Sequence, residues 1–143
     1  SCDPRSPLPV GRAIVLRTGS DLTFVATGET VVHALLAAEF LGRERELACG
    51  VISMPCLRPF DHAALAHAAK NSRAVITCEE HSVHGGLGEA CASSLLQAGL
   101  HPRFRIVGIP DEYTVTGAQA DIFRHYGLSL EGLRAAALAC VDD

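Results

Sequence analysis

Apolar and polar positions fall into two periods along the chain. "RAIVLRTGSDLTFVATG" (12–28) holds two β-rich runs, Ala13–Leu16 and Leu22–Ala26, around the turn-forming Thr18–Asp21. Read locally, that is an antiparallel hairpin. The second run is mostly apolar on both faces, which places it inside a covered sheet. Helical and strand patterns then alternate. "ETVVHALLAAEFLG" (29–42) reads as a helix closed by Gly42, and "LACGVISM" (47–54) as a strand stopped before Pro55. "DHAALAHAAKNS" (61–72) is an Ala-rich helix with Asp61 as N-cap, and "RAVITCEE" (73–80) is a strand. "GGLGEACASSLLQAG" (85–99) is a helix closed by Gly99, and "RFRIVGIP" (103–110) is the last strand. Two more helices follow, "AQADIFRHYG" (118–127) and "SLEGLRAAALACV" (129–141), the second capped by Ser129.

This alternation has the spacing of βαβ crossovers. It predicts a three-layer α/β fold: a mostly parallel five-stranded sheet with one antiparallel edge strand and helices on both faces. The first segment, "SCDPRSPLPVG", has three prolines and no periodicity. Residues 1–11 therefore read as a linker once joined to something upstream, and 12–143 as one domain. The total of 143 residues and the 48% apolar content suit a single domain with a real core.

Charge narrows the function. Twelve Lys and Arg against 16 Asp and Glu leave a net charge of −4, which disfavours nucleic acid as a partner. No run of ~18 apolar residues is present to span a membrane. The six cysteines show no CxxC spacing. In a chain with this much apolar content they read as reduced, mostly buried thiols of a cytoplasmic protein.

In folds of this kind chemistry collects where strands end and helices begin. Three such edges stand out: Thr27–Thr30, Met54–Asp61 and Glu79–Gly88. The third lies in "TCEEHSVHGGLGEACA" (77–92), the densest cluster of reactive types in the chain. Cys78, His81 and His84 are zinc-ligand types. However, Cys78 ends an apolar strand, the segment is not helical, and a fourth ligand is not in place. A nucleophilic Cys78 beside His81 needs an exposed thiol, and "AVIT" before it argues for burial. "GGLG" opens a helix, and helix N-termini attract anions, yet neither phosphate-loop nor dinucleotide fingerprints occur. The glycines read better as allowing close approach to the sheet or a partner. Glu79 and Glu80 are adjacent, so they point to opposite sides of a strand end and form no acid–base dyad. His81 falls on the side of Glu79, in position for a Glu–His contact with a partner subunit.

Four segments in order resemble one family. "GRAIVLRTGSDLTFVATGETVVHALLAAEFL", "VISMPCLRPFD", "VITCEEHSVHGGLGEACAS" and "GIPDEYTVTGAQADIFRHYGLSLEGL" are similar to the C-terminal domain of transketolase-like thiamine-diphosphate enzymes. The last leans toward transketolases, particularly the split kind. The resemblance implies a full enzyme that moves a two-carbon ketol unit between sugar phosphates, using thiamine diphosphate and a divalent metal. It places that cofactor between a pyrophosphate-binding and a pyrimidine-binding domain. The family's GDG motif for metal and diphosphate does not occur here. The resemblance thus implies a third domain with no catalytic, cofactor or metal residues, inactive when isolated. That domain packs against the other two, as domains or subunits, and supports a dimer or other homo-oligomer. By this analogy Glu80, His81, Gly85, Gly86 and Gly88 form an interface or ligand edge. Two other functions fit the same elements. One is the C-terminal domain of a 2-oxoacid dehydrogenase beta-type subunit docking an acyltransferase. The other is a free-standing small-molecule binding or regulatory module.

Overall fold

The computed structural model describes residues 11–55, 57–80, 86–108, 121 and 130–142. Five strands, β1 (Ile14–Arg17), β2 (Leu22–Ala26), β3 (Cys49–Ser53), β4 (Ala74–Cys78) and β5 (Arg103–Val107), form one sheet in the order β1-β3-β2-β4-β5. Strands β2 to β5 are parallel, and β1 is the antiparallel edge. The helices are α1 (Thr30–Arg45), α2 (His62–Asn71), α3 (Leu87–Gln97) and α4 (Leu130–Asp142). The predicted α/β class, strand number and edge strand are all present.

Strand alternation builds two cores. Leu22, Phe24, Ala26, Val51, Ile76 and Cys78 face α1 and α4, where they meet Ala34, Ala37, Leu41, Leu133 and Ala137. Val25, Val75 and Met54 face α2 and α3, where they meet Leu65, Ala69, Leu87, Cys91 and Leu95. Every residue of β2 and β4 is buried, as expected for central parallel strands covered on both faces.

The hairpin expectation is wrong. β1 pairs with β3, Ile14 opposite Ser53 and Val15 opposite Ile52, so β3 lies between β1 and β2. The apolar β2 gains more from two parallel neighbours than from the half-exposed β1. The link from β1 to β2 instead passes under the start of β3. There Gly19 lies so close that an added Cβ would meet the backbone of Ala48, Cys49 and Gly50. Asp21 fastens the link: its N–H donates to the Ala48 carbonyl and its Oδ2 accepts from the Ala48 N–H.

Gly42 is not the end of α1, which runs on to Arg45 and closes on Glu46 in the left-handed region at φ 57°. The added residues are good helix formers, and Arg43 and Arg45 complement the negative end of the helix dipole. Other boundaries match the sequence. Asp61 Oδ1 accepts from the Ala64 N–H that opens α2, while its Oδ2 accepts from Ala13 N–H beside β1. Gly99 follows α3 at φ +72°. The expected linker over 1–11 (Gly11 excepted), the helix expected at 118–127 (Asp121 excepted) and the Ser129 cap lie outside the described residues. No described helix is long and apolar enough to cross a membrane.

Candidate functional site: a sheet edge closed by its own carboxylates

The chain leaves β2 toward α1 on one face and leaves β4 toward α3 on the other. The gap between the C-terminal ends of these neighbouring strands is therefore the topological switch point, where open α/β sheets commonly hold ligands. Two predicted edges, Thr27–Thr30 and Glu79–Gly88, meet here.

The gap is stitched shut. Thr27 N–H donates to the Cys78 carbonyl at 3.2 Å. The buried Thr30 hydroxyl lies 3.0 Å from the same carbonyl and also bonds the Thr27 carbonyl. Glu79 and Glu80 then diverge, as extended backbone requires. Glu79 is buried, and its carboxylate accepts from Leu87 N–H at 2.7 Å and Gly88 N–H at 3.1 Å. Those are free donors of the first turn of α3. Glu80, half-buried, accepts from the Glu29 N–H just before α1. Gly28 makes room for it: the backbone sits at φ +58°, and a Cβ there would run into the Glu80 carboxylate. Two adjacent glutamates thus serve two helices on opposite faces of the sheet.

This arrangement decides what the edge can hold. A helix N-terminus binds an anion through open N–H groups. Here the N–H groups of α3 already hold a carboxylate, and a second carboxylate occupies the entry to α1. A diphosphate brought to this edge would meet two negative charges and donors already in use, so these residues do not fit the thiamine cofactor. Among the described residues no group of three or more His, Cys, Asp and Glu could hold a metal ion. His81, His84 and Gly85 lie outside the described residues.

Cys78 and Cys91 are fully buried, in the α1/α4 core and the α2/α3 core respectively. Burial, with the Glu79 charge adding to it, pushes the Cys91 thiol from its ordinary 9.0 up to about 12. The same causes, in the same order, push Cys78 further up. Burial raises Cys49 to about 11, opposed by Arg17 and reinforced by Asp21. These are neutral thiols at pH 7, unsuited to act as nucleophile or thiolate ligand. The stability they contribute is full below the unfolded thiol value near 9.0 and is lost as pH rises through the folded values. Urea unfolding should therefore show a constant midpoint between about pH 7 and 8.5 and a falling one between about pH 9 and 11. A midpoint unchanged to pH 11 would contradict the burial of these thiols.

Gly88 and Gly86 have separate roles. Gly88 is buried, and a Cβ on it would come within 2.5 Å of Ile106 Cγ2, so glycine lets α3 lie directly on β5. Gly86 precedes the first turn of α3, and its carbonyl accepts from Ala90 N–H. The third edge, Met54–Asp61, contributes Asp61 as the clasp between α2 and β1, with Met54 buried in the α2/α3 core and Cys56 outside the described residues. A cavity of about 630 Å³ opens away from the switch point, between β1, β3 and α2, lined by Val15, Ile52, Ala64, His67 and Asn71.

Sequence reasoning missed the Thr30 bridge and the capping by both glutamates. A signal was present for each: T-G-E-T directly after a strand, and paired acids between a strand end and two helix starts.

The family model for the transketolase C-terminal domain matches residues 11–133. The chain belongs to the transketolase C-terminal domain family. It is 42% identical over 132 residues to one of the subunits of an apulose-4-phosphate transketolase from Phocaeicola vulgatus, covering 92% of this chain and 41% of that protein. It is 37% identical to a 1-deoxy-D-xylulose-5-phosphate synthase from Desulforudis audaxviator, over 87% of this chain and 20% of the synthase. A split-gene transketolase, solved as an inactive beta4 tetramer, superposes with a TM-score of 0.85 at 35% identity, over 98% of this chain and 45% of that one. The transketolase C-terminal domain thus spans less than half the length of these relatives. Its α/β fold is that of the split-gene enzyme.

Proposed function

We propose that the chain is the non-cofactor-binding C-terminal domain of a transketolase-like enzyme and acts in subunit packing and assembly. That enzyme would move a two-carbon ketol unit between sugar phosphates, with thiamine diphosphate and a divalent metal held by its other domains. The observation that carries this reading is the switch-point edge, where the chain's own carboxylates take the place of a bound anion. Its partners in this reading are pyrimidine-binding and pyrophosphate-binding domains or subunits, together with further copies of itself. The relatives support it: one is itself a transketolase subunit, and another forms a beta4 tetramer.

The edge running from Glu80 through His81 and Gly85 to Gly86 is proposed as a docking surface. Gly88 acts behind it by seating α3. Free buried thiols at Cys49, Cys78 and Cys91 suit the reducing cytoplasm.

The test mixes the purified chain with polypeptides carrying the other two domains of the same enzyme. Sedimentation velocity should show one larger species containing all components, and ketol transfer should appear only in samples holding the other domains. Separate sedimentation of the chain, or ketol transfer by the chain alone, would overturn the proposal.

A further inference from the structure

Edge strand β1 carries the sheet past the cover of α2, and the step between them is the cavity of about 630 Å³. Its floor is the α2 side of the sheet, where Thr23 and Ile52 are buried and Val15 is 53% exposed at the open edge. Its wall is the face of α2 that bears Ala64, Ala68 and Asn71, positions four and seven apart on one side of the helix. The alanines present only methyl groups where leucines would fill the space. The volume falls in the range of small-molecule sites, roughly 300–1,000 Å³.

The polar groups on the floor are already paired. The Thr23 hydroxyl donates to Ser72 Oγ at 2.6 Å, and Ser72 Oγ donates to the Gly19 carbonyl at 2.6 Å. The Ala48 and Ser20 carbonyls accept from the N–H groups of Asp21 and Arg73. A floor with its polar groups satisfied and methyl groups above it favours an apolar occupant over water. Open hydrogen-bonding groups stand at the rim. Thr18 and Ser20 are exposed there, and Asn71 gives its Nδ2 to the His67 carbonyl at 2.7 Å, which leaves Oδ1 to accept.

Charge narrows the occupant further. Among the described residues no Asp, Glu or Lys lines the cavity. Arg17 lines it, but its guanidinium lies on the α1 side of the sheet, beside Gly42. The helix α2 ends at Asn71, so the negative end of its dipole lies at the cavity and disfavours an anion.

We infer that this cavity binds an uncharged small molecule with an apolar body and an N–H or O–H donor at one end. The inference goes beyond the assembly reading and does not depend on it, because the cavity opens away from the switch-point edge.

The probe is N-phenyl-1-naphthylamine, an uncharged aromatic amine with one N–H, whose fluorescence rises when it leaves water. Saturable micromolar binding to the full chain is expected. 1-Anilinonaphthalene-8-sulfonate adds a sulfonate to the same framework and should bind about tenfold more weakly or worse. Ala64→Phe fills the cavity and should weaken probe binding by about tenfold or more, while Ala63→Phe, at the exposed neighbouring position, should leave it unchanged. Asn71→Leu should weaken it by about fivefold, the worth of one hydrogen bond. Circular dichroism melting shows which variants fold; if Ala64→Phe does not, Val15→Trp closes the cavity from the floor and should have the same effect. Absence of saturable binding overturns the inference, as does a sulfonate that binds as tightly as the amine. Parent-like binding by a folded cavity-filling variant or by Asn71→Leu also overturns it. Release of the probe when the other enzyme domains join would make the cavity a docking socket; the inference then fails while the assembly reading stands.

Discussion

Replacing Glu79 with alanine should destabilise the domain by about 3 kcal/mol, since each buried N–H left without a partner costs roughly 1–3 kcal/mol. Two such groups, Leu87 N–H and Gly88 N–H, lose their acceptor together. Against a total stability of ~5–15 kcal/mol for an ordinary domain, this is a large loss. Glu79→Gln keeps one accepting oxygen but turns an NH2 group toward the second donor, so about half the loss should remain. Glu80→Ala, at the half-exposed position, should cost about 1 kcal/mol or less because water can reach the Glu29 N–H. Urea unfolding followed by far-ultraviolet circular dichroism measures all three. A Glu79→Ala variant within about 0.5 kcal/mol of the parent would show that the carboxylate does not hold α3.

The second large effect belongs to Gly88. Alanine there would place Cβ 2.5 to 2.9 Å from three atoms of Ile106, two of them, Cγ1 and Cγ2, bonded to its branched Cβ, which cannot swing away freely. Overpacking of this kind costs about 1–3 kcal/mol, and valine should exceed alanine. Shortening the obstacle supplies the control. In a Gly88→Ala/Ile106→Ala double variant the penalties should fall short of their sum by at least about 1 kcal/mol, as for residues in direct contact. Simple additivity would mean that α3 does not seat on β5 through this glycine.

The sequence period showed most of the fold because central parallel strands and their crossover helices carry strong, local signals. "LTFVA" and "AVITC" are buried throughout, and the Asp61 and Gly99 boundaries follow from side-chain capping and left-handed backbone, both local effects. The strand order was not legible. Whether β1 folds back on β2 or skips to β3 depends on competition between distant neighbours, and "TGSD" serves either path. The Gly42 boundary failed because propensity and charge in "RER" outweighed a single glycine.

At the candidate site, adjacency of Glu79 and Glu80 was enough to exclude a dyad, and the run before Cys78 was enough to bury it. Their capping partners were hidden, since Glu80 reaches 51 positions back along the chain to Glu29. The exposure of Val32, Leu36 and Phe40 on the outer face of α1 was hidden for another reason. In a helix apolar on several faces, the pattern alone does not say which face meets the sheet.

On the proposed reading, the carboxylates of Glu79 and Glu80 take up the strand-end edge and leave no site for the thiamine cofactor. Calorimetric titration of the folded chain with thiamine diphosphate and magnesium tests it most directly. No saturable heat is expected up to millimolar cofactor. A micromolar binding isotherm from the folded chain would contradict it.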